Sequence, residues 1–167
     1  TIIFSRTSGK WSQKEECIWH KPGSSDQLNL NEQGLKSLLT SAVHEQLQAD
    51  VEVGTFLSGG VDSSIITALA ASFRKDNLHT FSVGFPDREL DESSFAFEVS
   101  NSLNTRHHAF QMSDSDALEA FALLDRSFSE PLGDPSQLPT SFLAKSAREY
   151  VTVALSGDGA DELFFGY

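Results

Sequence analysis

Ser58-Gly59-Gly60-Val61-Asp62-Ser63-Ser64 follows directly on the apolar run Val51-Glu52-Val53-Gly54-Thr55-Phe56-Leu57, which sets a phosphate cradle at the end of a strand. Gly59 and Gly60 lack Cβ, so the chain can turn sharply and aim successive N–H groups at an anion, while Ser58, Ser63 and Ser64 add hydroxyl donors. A helix starting near Val61 contributes its positive end to the same anion. Asp62 is the odd member. A carboxylate beside bound phosphates repels them unless a divalent cation lies between, so the loop points to Mg-ATP rather than to free phosphate.

The pattern resembles the pyrophosphatase-type loop, SGGxDS, of enzymes that cleave ATP between its α and β phosphates and transfer AMP to a substrate oxygen. It is not a Walker loop: no G-x-x-x-x-G-K-[ST] occurs, and the one Gly-Lys pair, Gly9-Lys10, is followed by Trp11.

The elements that must hold this loop are read from apolar spacing. Leu35, Leu38, Leu39, Ala42, Val43 and Leu47 predict an amphipathic helix over 31–50. After the loop, Ile65, Ile66, Leu69, Ala70 and Phe73 line one side of a helix to about Lys75, and Phe81, Val83 and Phe85 alternate along a strand over 78–85. Residues 91–104, with Phe95, Val99 and Leu103 on a face, repeat the helix before a strand at about 107–111. Ser113 and Asp116 predict a capping box for a helix through Leu124. Pro139 sits in the first turn of a helix to Glu149, and Val151, Val153 and Leu155 alternate along a last strand. Strands separated by helices imply an α/β fold: a doubly wound parallel sheet with helices on both faces, whose ligands sit outside the carboxyl ends of the strands where strand order reverses. Residues 1–27 read as irregular and polar, with Trp11, Trp19 and the turn-forming Pro22-Gly23-Ser24.

Ser156-Gly157-Asp158-Gly159-Ala160-Asp161-Glu162 closes the last strand as the phosphate loop closes the first, so both can open onto one crevice. Three acids crowd together here, which is costly unless cations or ammonium groups share the space. The alternative is that Asp161 and Glu162 simply favour a helix N-terminus. The formal net charge of −12 disfavours a nucleic-acid partner, because neither the number nor the clustering of Lys and Arg suits a phosphate backbone. Cys17 is the only cysteine, excluding an intrachain disulfide, and no apolar stretch is long enough to span a bilayer. A soluble, cytoplasmic protein acting on small molecules is the expectation. His107 and His108 are adjacent, so on a strand they face opposite ways and cannot ligate one metal together.

Taken with the loop at 58–64, the segment Glu130-Pro131-Leu132-Gly133-Asp134-Pro135-Ser136-Gln137-Leu138-Pro139-Thr140 and the run Ala154-Leu155-Ser156-Gly157-Asp158-Gly159-Ala160-Asp161-Glu162-Leu163-Phe164-Phe165-Gly166-Tyr167 look like glutamine-hydrolysing asparagine synthetase. The resemblance implies the adenine nucleotide alpha-hydrolase-like, or pyrophosphatase-loop, fold. It makes residues 28–167 the ATP-binding domain, lacking its C-terminal part, and residues 1–27 a linker or remnant of a preceding glutaminase domain. It further implies that Ser58, Gly59, Gly60, Asp62, Ser63 and Ser64 hold the pyrophosphate portion of ATP, that Leu57, Val83, Ser156 and Gly157 border the rest of the nucleotide, and that Asp62 and Asp161 bind Mg²⁺. Asp158 matches the catalytic acidic position, touching the incoming amine or the substrate ammonium as hydrogen-bond or proton acceptor. The family adenylates the β-carboxylate of aspartate and passes it to ammonia from glutamine. Related chemistry on another carboxylate, a non-catalytic ATP-binding fragment and a pyrophosphatase-loop enzyme acting on tRNA are the competing readings. The chain departs from the family in beginning with Thr1 where the glutaminase half has a nucleophilic cysteine, and in ending before the later catalytic lysine.

Overall fold

The computed structural model describes residues 2–7, 10–15, 31–74, 77–87, 91–127 and 133–164. Cys17, Trp19, the Pro22-Gly23-Ser24 turn, Lys75, residues 130–132, Phe165 and Tyr167 lie outside them. The chain divides into two compact units, Thr1–Leu35 and Lys36–Tyr167.

In the first unit, β1 (Ile2–Thr7) pairs antiparallel with β2 (Lys10–Glu15), Thr7 opposite Lys10. The irregular reading of this stretch is therefore corrected. Two residues, Ser8 and Gly9, separate the two strands in sequence, which is the spacing of a hairpin.

The second unit is built on four parallel strands, β3 (Val53–Phe56), β4 (His79–Gly84), β5 (Arg106–Gln111) and β6 (Val153–Leu155), in the order β5-β4-β3-β6. From β3 the chain steps outward to β4 and then β5, and only afterwards returns to the other side of β3. The order therefore reverses between β3 and β6. The connecting helices are α2 (Val61–Arg74), α3 (Ser93–Leu103), α4 (Asp114–Ser127) and α5 (Gln137–Ala147), preceded by α1 (Glu32–Gln46) and followed by α6 (Ala160–Phe164).

Two apolar clusters lie on the two faces of the sheet. Val43 of α1 and Leu47 just after it pack with Val53, Ala70, Ala71 and Leu78, joined by Ile66, Leu69, Leu103 and Leu155. On the other face Leu143 and Ala147 of α5 pack with Phe81 and Val151, joined by Phe56, Val83 and Phe110. Helices on both faces of a parallel sheet are what the alternation of elements predicts. Capping also follows the sequence: Asp116 accepts from the Ser113 N–H at 2.9 Å while the Asp116 N–H donates to Ser113 Oγ at 3.3 Å. Asn104 ends α3 in the left-handed conformation, φ 52°.

The buried faces differ from their apolar prediction in three helices. On α2, Ile65 and Phe73 are exposed while Thr67 is fully buried, because its hydroxyl pairs with that of Thr55 at 3.0 Å and so carries no unmet polar group inward. On α3, Ala96 and Ser100 face the core and Phe95 is exposed. On α1, Leu38 of the predicted apolar face is exposed. Val151 is buried but precedes β6, where it closes the α5 cluster.

The lack of a side chain at Gly59 lets the phosphate loop approach the start of α3. Gly59 has φ 88°, and a Cβ there would stand 2.5 Å from Phe95 Cβ and 2.6 Å from the Ala96 nitrogen. At Gly60 the nearest obstacle would be the movable Ser58 hydroxyl at 3.3 Å. Gly59→Ala is therefore expected to destabilise the unit by about 1–3 kcal/mol, from strain and overpacking together. Gly60→Ala should stay within about 0.5 kcal/mol of the parent. Urea titration of both variants checks the contrast, and equal losses would contradict it.

The two histidines of β5 do face opposite sides. His107 meets the Thr80 hydroxyl at 2.9 Å and the Ser82 hydroxyl at 3.1 Å, whereas His108 Nε2 lies 2.9 Å from His79 Nδ1 and its ring packs near Phe81 and Tyr150. Burial, and then the neighbouring His108, lowers the pKa of His107; burial, and then His79, lowers that of His108. A depressed histidine pKa means that the fold favours the neutral ring. Its stabilisation is present above the unfolded value near 6.5 and is lost as pH falls through the lower folded value. Unfolding midpoints should drop as pH falls below about 6.5, and His107→Gln with His108→Phe should flatten that drop. An unchanged pH slope in the double variant would place the sensitivity elsewhere.

Candidate nucleotide site

Because β3 and β6 are neighbours, the loops that leave their carboxyl ends are neighbours too. Gly157 lies against the first turn of α2: a Cβ there would stand 2.8 Å from the Ser63 nitrogen and 3.1 Å from Asp62 Cβ. Only a glycine lets the second loop sit this close to the first. Between and around them opens a cleft of about 990 Å³ at the strand ends.

The phosphate loop is held by its own hydroxyls. Ser63 Oγ lies at the centre, 3.0 Å from Ser58 Oγ, donating to the Gly60 carbonyl at 3.2 Å and accepting from the Ser58 N–H at 3.3 Å. Ser58 Oγ in turn accepts from the Gly60 N–H at 3.2 Å. The first intrahelical bond of α2 runs from the Ser64 N–H to the Gly60 carbonyl, so the N–H groups of Val61, Asp62 and Ser63 have no partner within the helix. These are the groups a helix N-terminus offers to an anion. Ser64 Oγ is buried without a hydrogen-bond partner among the described residues.

Leu57, Ser58, Asp62, Ser63, Val83, Ser156, Gly157, Asp158 and Asp161 all line this one cleft. Gly59, Gly60 and Ser64 do not: Gly59 packs against α3, and Gly60 and Ser64 belong to the turn that shapes the loop. Leu57 is buried and donates its N–H to the Phe81 carbonyl at 2.8 Å, which extends the β3–β4 ladder into the site.

The wall also contains residues to which the sequence reading assigned no role. Glu92 and Ser93 come from the start of α3, and Asp134, Ser136 and Gln137 from the start of α5. The signal for the last group was present in Asp134-Pro135-Ser136 ahead of an apolar helical pattern, the mark of a helix start. Asp134 Oδ1 accepts from the Ser136 N–H at 2.8 Å, and these bonds to Ser136, backbone first and hydroxyl second, hold the Asp134 carboxyl below the usual range.

Charge in the cleft is one-sided. Asp62, Glu92, Asp134, Asp158, Asp161 and Glu162 line it, and no Lys, Arg or His does among the described residues. No three His, Cys, Asp or Glu side chains converge there as a ready-made metal centre, again among the described residues. Asp62 in the first turn of α2 and Asp161 in the first turn of α6 both line the cleft without a protein-only cage, which fits Mg²⁺, an ion that binds through one or two carboxylates plus phosphate oxygens and water.

Comparison with known proteins identifies the family and the fold. Residues 34–167 match the family model Asparagine synthase. The chain is 41% identical over 143 residues to a putative glutamine-hydrolysing asparagine synthetase 2 of Methanocaldococcus jannaschii, covering 85% of this chain and 27% of the relative. It is 40% identical over 133 residues to glutamine-hydrolysing asparagine synthetase 1 of Bacillus subtilis, covering 80% and 21%. The chain thus spans about a quarter of the length of these relatives. Among solved structures, the NH3-dependent NAD synthetase of Campylobacter jejuni superposes with a TM-score of 0.57 at 17% identity, covering 83% of this chain and 61% of that one. The NMN synthetase of Francisella tularensis superposes with 0.54 at 22%, covering 83% and 59%. These two share the fold, a pyrophosphatase-loop α/β sheet. On the strength of the family match and the relatives' identity, the chain belongs to the asparagine synthase family.

Proposed function

We propose that this chain is the nucleotide-binding part of an ATP-dependent amide-forming synthetase that activates a side-chain carboxylate as its acyl-adenylate. One observation carries the reading: the phosphate loop and the second acidic loop meet at Gly157 over a cleft lined, among the described residues, by acids and no bases. A triphosphate is repelled by such a wall unless a cation accompanies it.

In this reading the N–H groups at the start of α2 and the hydroxyls of Ser58 and Ser63 receive the β and γ phosphates, Gly59, Gly60 and Ser64 shape the turn that presents them, and Leu57, Val83, Ser156 and Gly157 border the rest of the nucleotide. Asp62 and Asp161 hold Mg²⁺, which when bound neutralises charge on the departing pyrophosphate. Oriented by the loop, the α phosphorus is attacked by a carboxylate oxygen of the acceptor, and the α–β phosphoanhydride bond breaks. Ammonia then attacks the carbonyl carbon and AMP leaves. Asp158, exposed at the cleft wall on the second loop, accepts a hydrogen bond or a proton from the amine. Aspartate is the proposed acceptor and glutamine the proposed source of ammonia, through a glutaminase domain to which residues 1–27 form the join. A cytoplasmic location and small-molecule partners complete the proposal; no helix among the described residues is long and apolar enough to cross a membrane.

Mg²⁺ and ATP together should raise the melting temperature more than either alone, since ligand binding to the native state adds apparent stability. Equal shifts with and without Mg²⁺ would remove the cation from the site. In a chain extended to the length of its relatives, Asp161→Asn should weaken ATP binding and the exchange of labelled pyrophosphate into ATP. Asp158→Asn should leave both near the parent value while lowering amide yield by about 10²–10⁴-fold. Equal damage to exchange by both substitutions would overturn the division of labour.

A further inference from the structure

α5 joins two places on the sheet. Its first half reaches the cleft through Pro139, Thr140, Ser141 and Leu143, and its last residue, Ala147, packs with Val151 and Phe81. Tyr150, just past that end, donates its N–H to the Ala147 carbonyl at 2.9 Å and sets its ring 4.0 Å, centre to centre, from that of His108. His79 opens β4 and so stands at the end of the sheet away from the cleft. Its Nδ1 is 2.9 Å from His108 Nε2, with the ring planes 6° apart and the ring centres separated by 5.1 Å. The rings therefore meet edge to edge, one nitrogen aimed at the other. An N–H···N bond of this kind needs one donor and one acceptor, so the two facing nitrogens hold a single proton between them. Nothing in the nucleotide chemistry above uses either ring.

We propose that the His79–His108 pair is an acid-sensitive clasp on α5, closed while one proton is shared and opened when both rings are charged, so that acid loosens the helix and weakens nucleotide binding at its other end; the inference rests on the nucleotide reading above. Two imidazolium rings present two donors and no acceptor, and like charges then face each other across the former bond. The pair titrates as one coupled unit, and its second step is the one that opens it. Burial, and then His79, lowers the His108 pKa, which puts that step below the ordinary histidine value. The surrounding charges do not oppose the opening. Arg106 lies opposite His79 in register with its guanidinium on Asn77 Oδ1, and Arg148, just past α5, donates to the Val151 carbonyl and the Thr152 hydroxyl. Glu119 of α4 is engaged by Lys145 of α5 at 2.6 Å, and Glu149, beside Tyr150 in sequence, is exposed. A rigid helix seated at both ends can carry the loss of one seat to the other, here from Tyr150 to Leu143 in the cleft wall. Affinity is then flat above about pH 6.5 and falls as pH drops through the lower folded value.

The test measures Mg-ATP affinity by calorimetric titration at about pH 7.5 and about pH 5.5, on either side of the histidine range, for the parent chain and His108→Gln, with His79→Asn as a second variant should the first fail to fold. Gln places an amide where Nε2 stood and Asn where Nδ1 stood, so each keeps a hydrogen bond and loses the titration. On acidification the parent should lose at least about fivefold more affinity than the variant, the lower end of ordinary coupling between sites, and the two should be alike at the higher pH. His107→Gln, on the opposite face of β5, should keep the parent's acid loss. An equal acid loss in the parent and His108→Gln overturns the proposal, as does a loss that His107→Gln abolishes. A urea midpoint that falls with acid in the parent alone, with no extra loss of affinity, would make the pair purely structural and overturn it as well. Failure of the parent chain to bind Mg-ATP at the higher pH would overturn the nucleotide reading itself and this inference with it.

Discussion

The close approach of Gly157 to the Asp62–Ser63 backbone is the constraint on which the site depends. Parallel neighbours in a sheet lie about 4.8 Å apart, so loops leaving the same ends of β3 and β6 must either interlock or collide. With no side chain at Gly157, they interlock. The strand order β5-β4-β3-β6 creates that adjacency, since the chain builds outward to β5 before returning to β3's free side. Two segments nearly a hundred residues apart thereby become one surface, and the two apolar clusters on either face of the sheet fix the strands that carry them.

Electrostatics then limits what this surface can bind. Carboxylates from α2, α3, α5, α6 and their adjoining loops converge on the cleft without a basic side chain among the described residues. The start of α2 supplies partial positive charge through three N–H groups, but a helix end carries roughly half a unit charge, far short of what a triphosphate needs. Cation and nucleotide therefore belong together in any account of this cleft. The hydrogen bonds among Ser58, Gly60 and Ser63 set the loop's shape before any ligand arrives, which spares binding part of the ordering entropy.

Much of this was legible in the chain because it is written in local rules. Ser58 to Ser64 combines glycine, hydroxyl and acid at fixed offsets, and the alternation of strand and helix gives the sheet its parallel character. Ser113 with Asp116, and the opposed His107 and His108, are decided within four residues and follow their patterns. What escaped depends on partners distant in sequence. Thr67 displaces Ile65 and Phe73 from the buried face of α2 only because Thr55 waits across the interface. Ala96 is buried and Phe95 exposed where the Gly59 backbone meets the start of α3, a contact no local pattern reveals. Gln137 looks like an ordinary polar residue at a helix start until the fold encloses it. The β1–β2 hairpin was missed for a different reason: Ser8-Gly9 is a turn signal, but Trp11, Trp19 and the polar residues around them obscured the strands beside it.

The central claim is that residues 58–64 and 156–162 form one nucleotide site. Amide hydrogen exchange, followed while Mg-ATP is titrated into the chain, tests it directly, because it reports the two loops separately in one experiment. The account predicts that both segments gain protection together and saturate at the same nucleotide concentration. Protection of 58–64 alone, with 156–162 exchanging as in the free chain, would contradict it.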